Sequence, residues 1–127
     1  VIRYAAALLM AVSLPAAAQE ATTRGTGALL RGLDKITGAV TDLEIETGGY
    51  ARLGRVTIAL GECRYPPDDP AGEGYAFLSI AEQDGASVFQ GWMVASSPAL
   101  NPVDHARYDV WVLRCTTADG SSSSGTE

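Results

Sequence analysis

The sequence predicts an all-β protein: a single small antiparallel β-sandwich or barrel of about seven strands, behind an N-terminal signal peptide. Three observations predict it. Short apolar runs recur at a spacing of about 8–12 residues, as in sandwiches and barrels. Gly, Pro and Asp clusters punctuate the gaps between them. Two cysteines, Cys63 and Cys115, each end a strand-like run, as expected of a small exported fold tied by a disulfide.

The leader comes first. Val1-Ile2-Arg3 carries one positive charge, Tyr4 to Leu14 is an almost uninterrupted apolar run, and Pro15 precedes Ala16-Ala17-Ala18, a small-x-small pattern followed by polar Gln19-Glu20. That is the order of a secretory signal peptide, residues 1–18, cleaved after Ala18. The run falls short of the ~20 apolar residues that a spanning helix needs, so the mature chain is expected to carry no transmembrane segment. Export makes the protein periplasmic and favours oxidation of Cys63 and Cys115 to a disulfide. Closing the long loop between them would stabilise the fold by about 4 kcal/mol. Neither cysteine lies in a Cys-x-x-Cys motif, which argues against a redox catalyst.

Residues 19–27 are rich in Thr, Gly and Ala without periodicity and read as a flexible arm. The β domain is expected over 28–115. Its first segment, Ala28 to Glu46, has two readings. Leu29, Leu33, Ile36, Val40 and Leu43 form a helical stripe. Gly32 and Gly38 oppose a helix, each at about 1 kcal/mol relative to Ala. The favoured reading is a hairpin of Leu30–Ile36 and Ala39–Glu46, with Thr37-Gly38 as the tight turn. Its second strand alternates Thr41, Leu43 and Ile45 with Asp42, Glu44 and Glu46, a half-buried pattern.

Thr47-Gly48-Gly49 is a turn. Tyr50 to Leu53 is a short strand that Gly54 ends, and Val56, Ile58 and Leu60 alternate as the next. Cys63 is out of phase with that set, and Gly61 between them predicts a β-bulge. The Pro- and Gly-rich stretch Tyr65 to Gly74 is an exposed loop. Tyr75–Glu82 and Ala86–Val94 are strands around a Gln83-Asp84-Gly85 turn. Ser97 to Arg107 is a loop with one helical turn near Pro102-Val103-Asp104. Tyr108–Cys115 is the last strand, with Trp111 and Leu113 on the Cys115 side. Residues 116–127, Ser- and Gly-rich, are expected to be a disordered tail.

The formal net charge is −6, and loss of Arg3 with the leader makes it more negative. An acidic protein repels phosphate backbones, which argues against nucleic acid as a partner. His105 is the only histidine in the chain. Asp104 adjoins it, and Ser96 and Ser97 lie in the same loop. Adjacency does not make a Ser-His-Asp triad, and no Gly-x-Ser-x-Gly elbow is present. Asp68, Asp69 and Glu73 are oxygen ligands of the kind calcium takes, without EF-hand spacing. Asp42, Glu44 and Glu46 look like a solvated face rather than a glycosidase pair. The sequence therefore predicts no catalytic residue, no metal and no cofactor. Trp92 and Trp111, both in strand-like runs, are expected to pack in the core; an exposed carbohydrate platform is the alternative.

Leu33-Asp34-Lys35-Ile36-Thr37-Gly38, Cys63-Arg64, Phe89-Gln90-Gly91-Trp92-Met93-Val94-Ala95-Ser96-Ser97-Pro98 and Tyr108-Asp109-Val110-Trp111-Val112-Leu113-Arg114-Cys115 resemble a family of small secreted, periplasmic bacterial proteins of unassigned function. The resemblance covers about Leu30 to Cys115; the Gly-Trp-Met and Asp-Val-Trp-Val stretches are its most specific parts. It implies no catalytic residue. Genes of that family often lie beside one for an accessory subunit of a respiratory NADH dehydrogenase, which implies an envelope-side partner.

The function expected from these observations is a non-enzymatic periplasmic module binding a protein or cell-envelope component, an accessory to a respiratory membrane complex. A periplasmic hydrolase or carbohydrate-binding protein is the alternative. Pro98 and Pro102 brace the loop between the last two strands and restrict its conformations. Its Ser96, Ser97, Leu100 and Asn101 are the expected partner-binding residues, because a pre-shaped loop loses less entropy on binding.

Overall fold

A computed structural model describes residues 21–118. The expected leader, and the tail beyond 118, lie outside the described residues. Among the described residues, eight strands form two antiparallel sheets: β1 Thr23–Arg24, β2 Gly27–Asp34, β3 Val40–Glu46, β4 Tyr50–Leu53, β5 Val56–Tyr65, β6 Tyr75–Ala81, β7 Ser87–Val94 and β8 Tyr108–Thr116. The larger sheet runs β5–β6–β7, with β1 and β4 sharing the other edge of β5; the smaller runs β3–β2–β8. The architecture is thus a sandwich and not a barrel. Leu30, Val56, Ile58, Leu60, Leu78, Ile80, Val110 and Val112 fill the space between the sheets.

The segment 28–46 is a hairpin. Gly32, which weakened the helical reading, faces the core. A Cβ there would lie 2.6 Å from Leu53 Cδ2, so the missing side chain makes room for Leu53. The first strand ends at Asp34, two residues earlier than expected, because the Asp34 carboxylate accepts the amides of Ile36 (3.0 Å) and Thr37 (3.2 Å). This Asx-type turn draws the chain out of the ladder, and Gly38 completes it at φ 77°.

The bulge at Gly61 is present. Leu60 pairs with Leu78 and Glu62 with Phe77, leaving Gly61 as the extra residue. The phase reversal brings Cys63 into the core, fully buried. A second bulge was not expected. Leu29 pairs with Arg114 but Leu30 with Val112, so Leu113 is the extra residue. Tyr108, Val110 and Val112 therefore face inward, and the phase reverses before buried Cys115. Trp111 and Leu113 do not share the Cys115 side. Both faces of β8 carry large apolar residues, Tyr108, Val110 and Val112 on one and Trp111 and Leu113 on the other, so alternation alone left the face undetermined.

Three further boundaries differ. Residues 23–27, expected in a flexible arm, form β1 and begin β2. The Gly25 amide donates to Cys63 O (2.7 Å) and that of Thr26 to Thr116 O (2.8 Å), so the segment crosses from one sheet to the other. Thr116, expected in the tail, ends β8 and is buried. The helical turn of the last loop is Pro98–Leu100, with Pro at its start, where a missing N–H costs nothing.

Candidate functional site

The Cys63–Cys115 disulfide joins β5 of the larger sheet to β8 of the smaller, across a Cα separation of 5.6 Å. It clamps one end of the sandwich. A polar cluster clamps the other. Arg107 donates to Asp34 Oδ2 at 2.8 and 3.1 Å. Those bonds are the main reason the Asp34 carboxyl is lowered to about 2; burial opposes the shift and the Ile36 and Thr37 amides add to it. His105 Nδ1 accepts the amides of Arg107 and Tyr108, both at 3.0 Å, and Nε2 meets Glu82 Oε1 at 2.6 Å. Accepting at Nδ1 leaves Nε2 to carry the proton toward Glu82. His105 is thus part of the scaffold, with both ring nitrogens engaged.

The four loop residues gather at the opposite end and along the β7 edge. Ser96 donates its amide to Glu73 Oε1 at 3.0 Å, and its hydroxyl to Glu73 Oε2. Glu73 also accepts the Gly74 amide. Burial opposes ionisation of Glu73, but the Ser96 and Gly74 bonds outweigh it and hold the carboxyl below its ordinary value. Both carboxylate oxygens are thus engaged by Ser96 and Gly74; among the described residues no group of three or more His, Cys, Asp or Glu side chains, Glu73 with Asp68 and Asp69 included, is gathered as a metal site would require. Ser97 O accepts the Leu100 amide. Leu100 is 74% exposed. Asn101 Nδ2 donates to Trp92 O at 2.9 Å, which fastens the loop to the open edge of the larger sheet. No Ser96–His105 pair forms, since Ser96 is spent on Glu73 and His105 on Glu82 and the backbone.

Neither tryptophan is in the core. Trp92 is 42% exposed and packs edge-on against Phe77, its cross-strand neighbour, with ring centroids 5.4 Å apart. Trp111 is half-buried on the outer face of the smaller sheet, opposite Arg31. A parity signal in the sequence could have shown this: Trp92 shares its face with Gln90, and Trp111 with Asp109. Beside Trp92 a shallow groove of about 290 Å³ is lined by Thr22, Arg64, Tyr75 and Trp92. Glu62 pairs with both Arg24 (3.1 Å) and Arg64 (3.2 Å). The groove thus has aromatic walls and a charged rim, which suits an apolar or ring-bearing ligand with polar substituents.

Fold and surface together define a small disulfide-clamped β-sandwich that presents an aromatic groove. Residues 28–115 match the family described as "Uncharacterized protein conserved in bacteria (DUF2155)", and the chain belongs to it. An uncharacterized protein of Rickettsia prowazekii (strain Madrid E) is 30% identical over 87 residues, 65% of this chain and 56% of that protein. The chain thus spans little more than half the length of this relative. No solved structure matches.

Proposed function

We propose that the protein is a non-enzymatic periplasmic binding module that holds a protein or cell-envelope component along the β7 edge. The observation that carries this reading is the exposure of Trp92 and Leu100 on two segments that Asn101 fastens together. Large apolar side chains left in solvent beside a polar rim mark binding surfaces. The non-catalytic part is supported by His105 and Ser96, whose polar atoms are engaged in separate structural contacts. An accessory role at a respiratory membrane complex follows from the resemblance noted above.

One observation favours a second reading. Trp92 and Tyr75 beside Arg64 resemble a stacking platform with a hydrogen-bonding flank, which suits a sugar ring. Affinity purification from the native envelope separates the two. Partner protein retained by the native chain and lost with Leu100→Ser or Trp92→Ala supports the first. Retention of peptidoglycan fragments, lost only with Trp92→Ala, supports the second. Co-purification that survives both substitutions contradicts the assignment of the surface.

A further inference from the structure

A second polar site lies at the end of the sandwich away from the disulfide. The β4–β5 hairpin turns through Gly54-Arg55, and of these two residues Gly54 has positive φ (54°) and Arg55 does not, the pattern of a tight hairpin turn opened by Gly. The turn rests on Tyr108 of the other sheet. A Cβ on Gly54 would lie 2.1 Å from the phenol oxygen, which also accepts the Arg55 amide at 3.3 Å. This anchors the backbone that carries Arg55. Arg52 is cross-strand from Thr57, and Thr57 from Ala81, which precedes Glu82 and Gln83. Arg52, Gly54, Arg55, Thr57, Glu82 and Gln83 line a cavity of about 70 Å³.

The charge pattern here is unusual for this chain. Arg24, Arg31, Arg64 and Arg107 each meet a carboxylate. Among the described residues, Arg52, Arg55 and Arg114 meet none, although the chain is acidic overall; of these three, Arg52 and Arg55 share one cavity lining. Glu82, the carboxylate in the lining, turns Oε1 to His105 instead.

We propose that this cavity binds a phosphate group. It is far smaller than the ~300–1,000 Å³ of a drug-sized site, so it takes one anionic group and not a whole ligand. Two guanidinium forks, a hydroxyl and an amide supply the donors that phosphate oxygens accept. Glu82 repels a second negative charge, which favours a singly charged phosphodiester over a phosphate dianion. The phosphate belongs either to a phospholipid headgroup or to a soluble molecule. The site is separate from the β7 edge, so it stands whether or not the proposed partner surface is correct.

The test has two arms. In the first, backbone amide resonances are followed during titration with dimethyl phosphate, a singly charged phosphodiester, at constant ionic strength. Saturable shifts are expected at Gly54, Arg55, Thr57 and Gln83, with a dissociation constant on the order of 1 mM. Arg52→Gln and Arg55→Gln should each weaken binding about tenfold, with an unchanged melting midpoint. In the second arm, the protein is sedimented with phosphatidylcholine vesicles with and without phosphatidylglycerol. Pelleting that needs phosphatidylglycerol and both arginines assigns the phosphate to a lipid headgroup; shifts without pelleting assign it to a soluble molecule. The proposal is overturned if neither arm shows binding, or if binding persists in the double variant.

Discussion

The side-chain amide of Asn101 donates to the main-chain carbonyl of Trp92 at 2.9 Å, binding the loop before β8 to the edge strand β7. The same nitrogen would stand 3.0 Å from a Cβ on Gly91, so glycine there lets the loop approach. Asn101→Ala removes the bond, and water can replace it at this exposed edge. A loss of about 1 kcal/mol is expected, read from the urea midpoint. Leu100→Ser, at a solvent-exposed side chain, should leave the midpoint unchanged.

Tryptophan exposure sets a second expectation. Trp92→Ala should cost about 1 kcal/mol, the scale of its edge-on contact with Phe77. Leu30→Ala, at a fully buried position, should cost about 2–5 kcal/mol. In a Trp111→Phe background, iodide should quench the remaining Trp92 emission in the native state. Complete protection would mean that Trp92 is buried.

His105→Ala should destabilise the fold by about 2 kcal/mol, because it strips the acceptor from the part-buried amides of Arg107 and Tyr108. The midpoint of urea unfolding for His105→Ala checks this; an unchanged midpoint would show that the two amides do not depend on the ring.

Acid should weaken the clamp at the same end. Asp34 is lowered to about 2 in the fold, chiefly by Arg107, against ~3.9 in an unfolded chain. A carboxyl lowered by folding stabilises fully above its unfolded value and loses that contribution as pH falls toward the folded one. The difference in stability between the native chain and Asp34→Asn should be constant above about pH 5 and shrink between about pH 4 and pH 2.

The disulfide joins two core strands on different sheets. Cys115→Ser should therefore cost about 2–5 kcal/mol. In the native oxidised protein neither cysteine should titrate as a thiol, since both are buried and bonded.

Much of the fold was legible because strand alternation and turn chemistry are local. Val56, Ile58 and Leu60 mark their strand, and Gly61 marks the bulge that turns Cys63 inward. What failed was the choice of face where both faces of a strand are apolar, as in β8, and the unpaired bulge residue Leu113 carries no glycine to announce it. The site was less legible still. Ser96 finds Glu73, His105 finds Glu82, and Arg107 finds Asp34 only because separate strands and loops meet in space, and such long-range pairings leave no period in the sequence. The disulfide was accessible for a different reason: two cysteines admit only one intramolecular pairing.

The β7 edge, with Trp92 and Leu100, is the surface we propose for partner binding. It is tested most directly by placing a photo-crosslinking amino acid at position 92, 100 or 41 in turn and irradiating intact cells. Thr41 lies exposed on β3 of the other sheet and serves as the control. One discrete adduct is expected from positions 92 and 100 and none from 41. Adducts from position 41 alone, or none from any position in a folded, exported protein, would contradict the proposal.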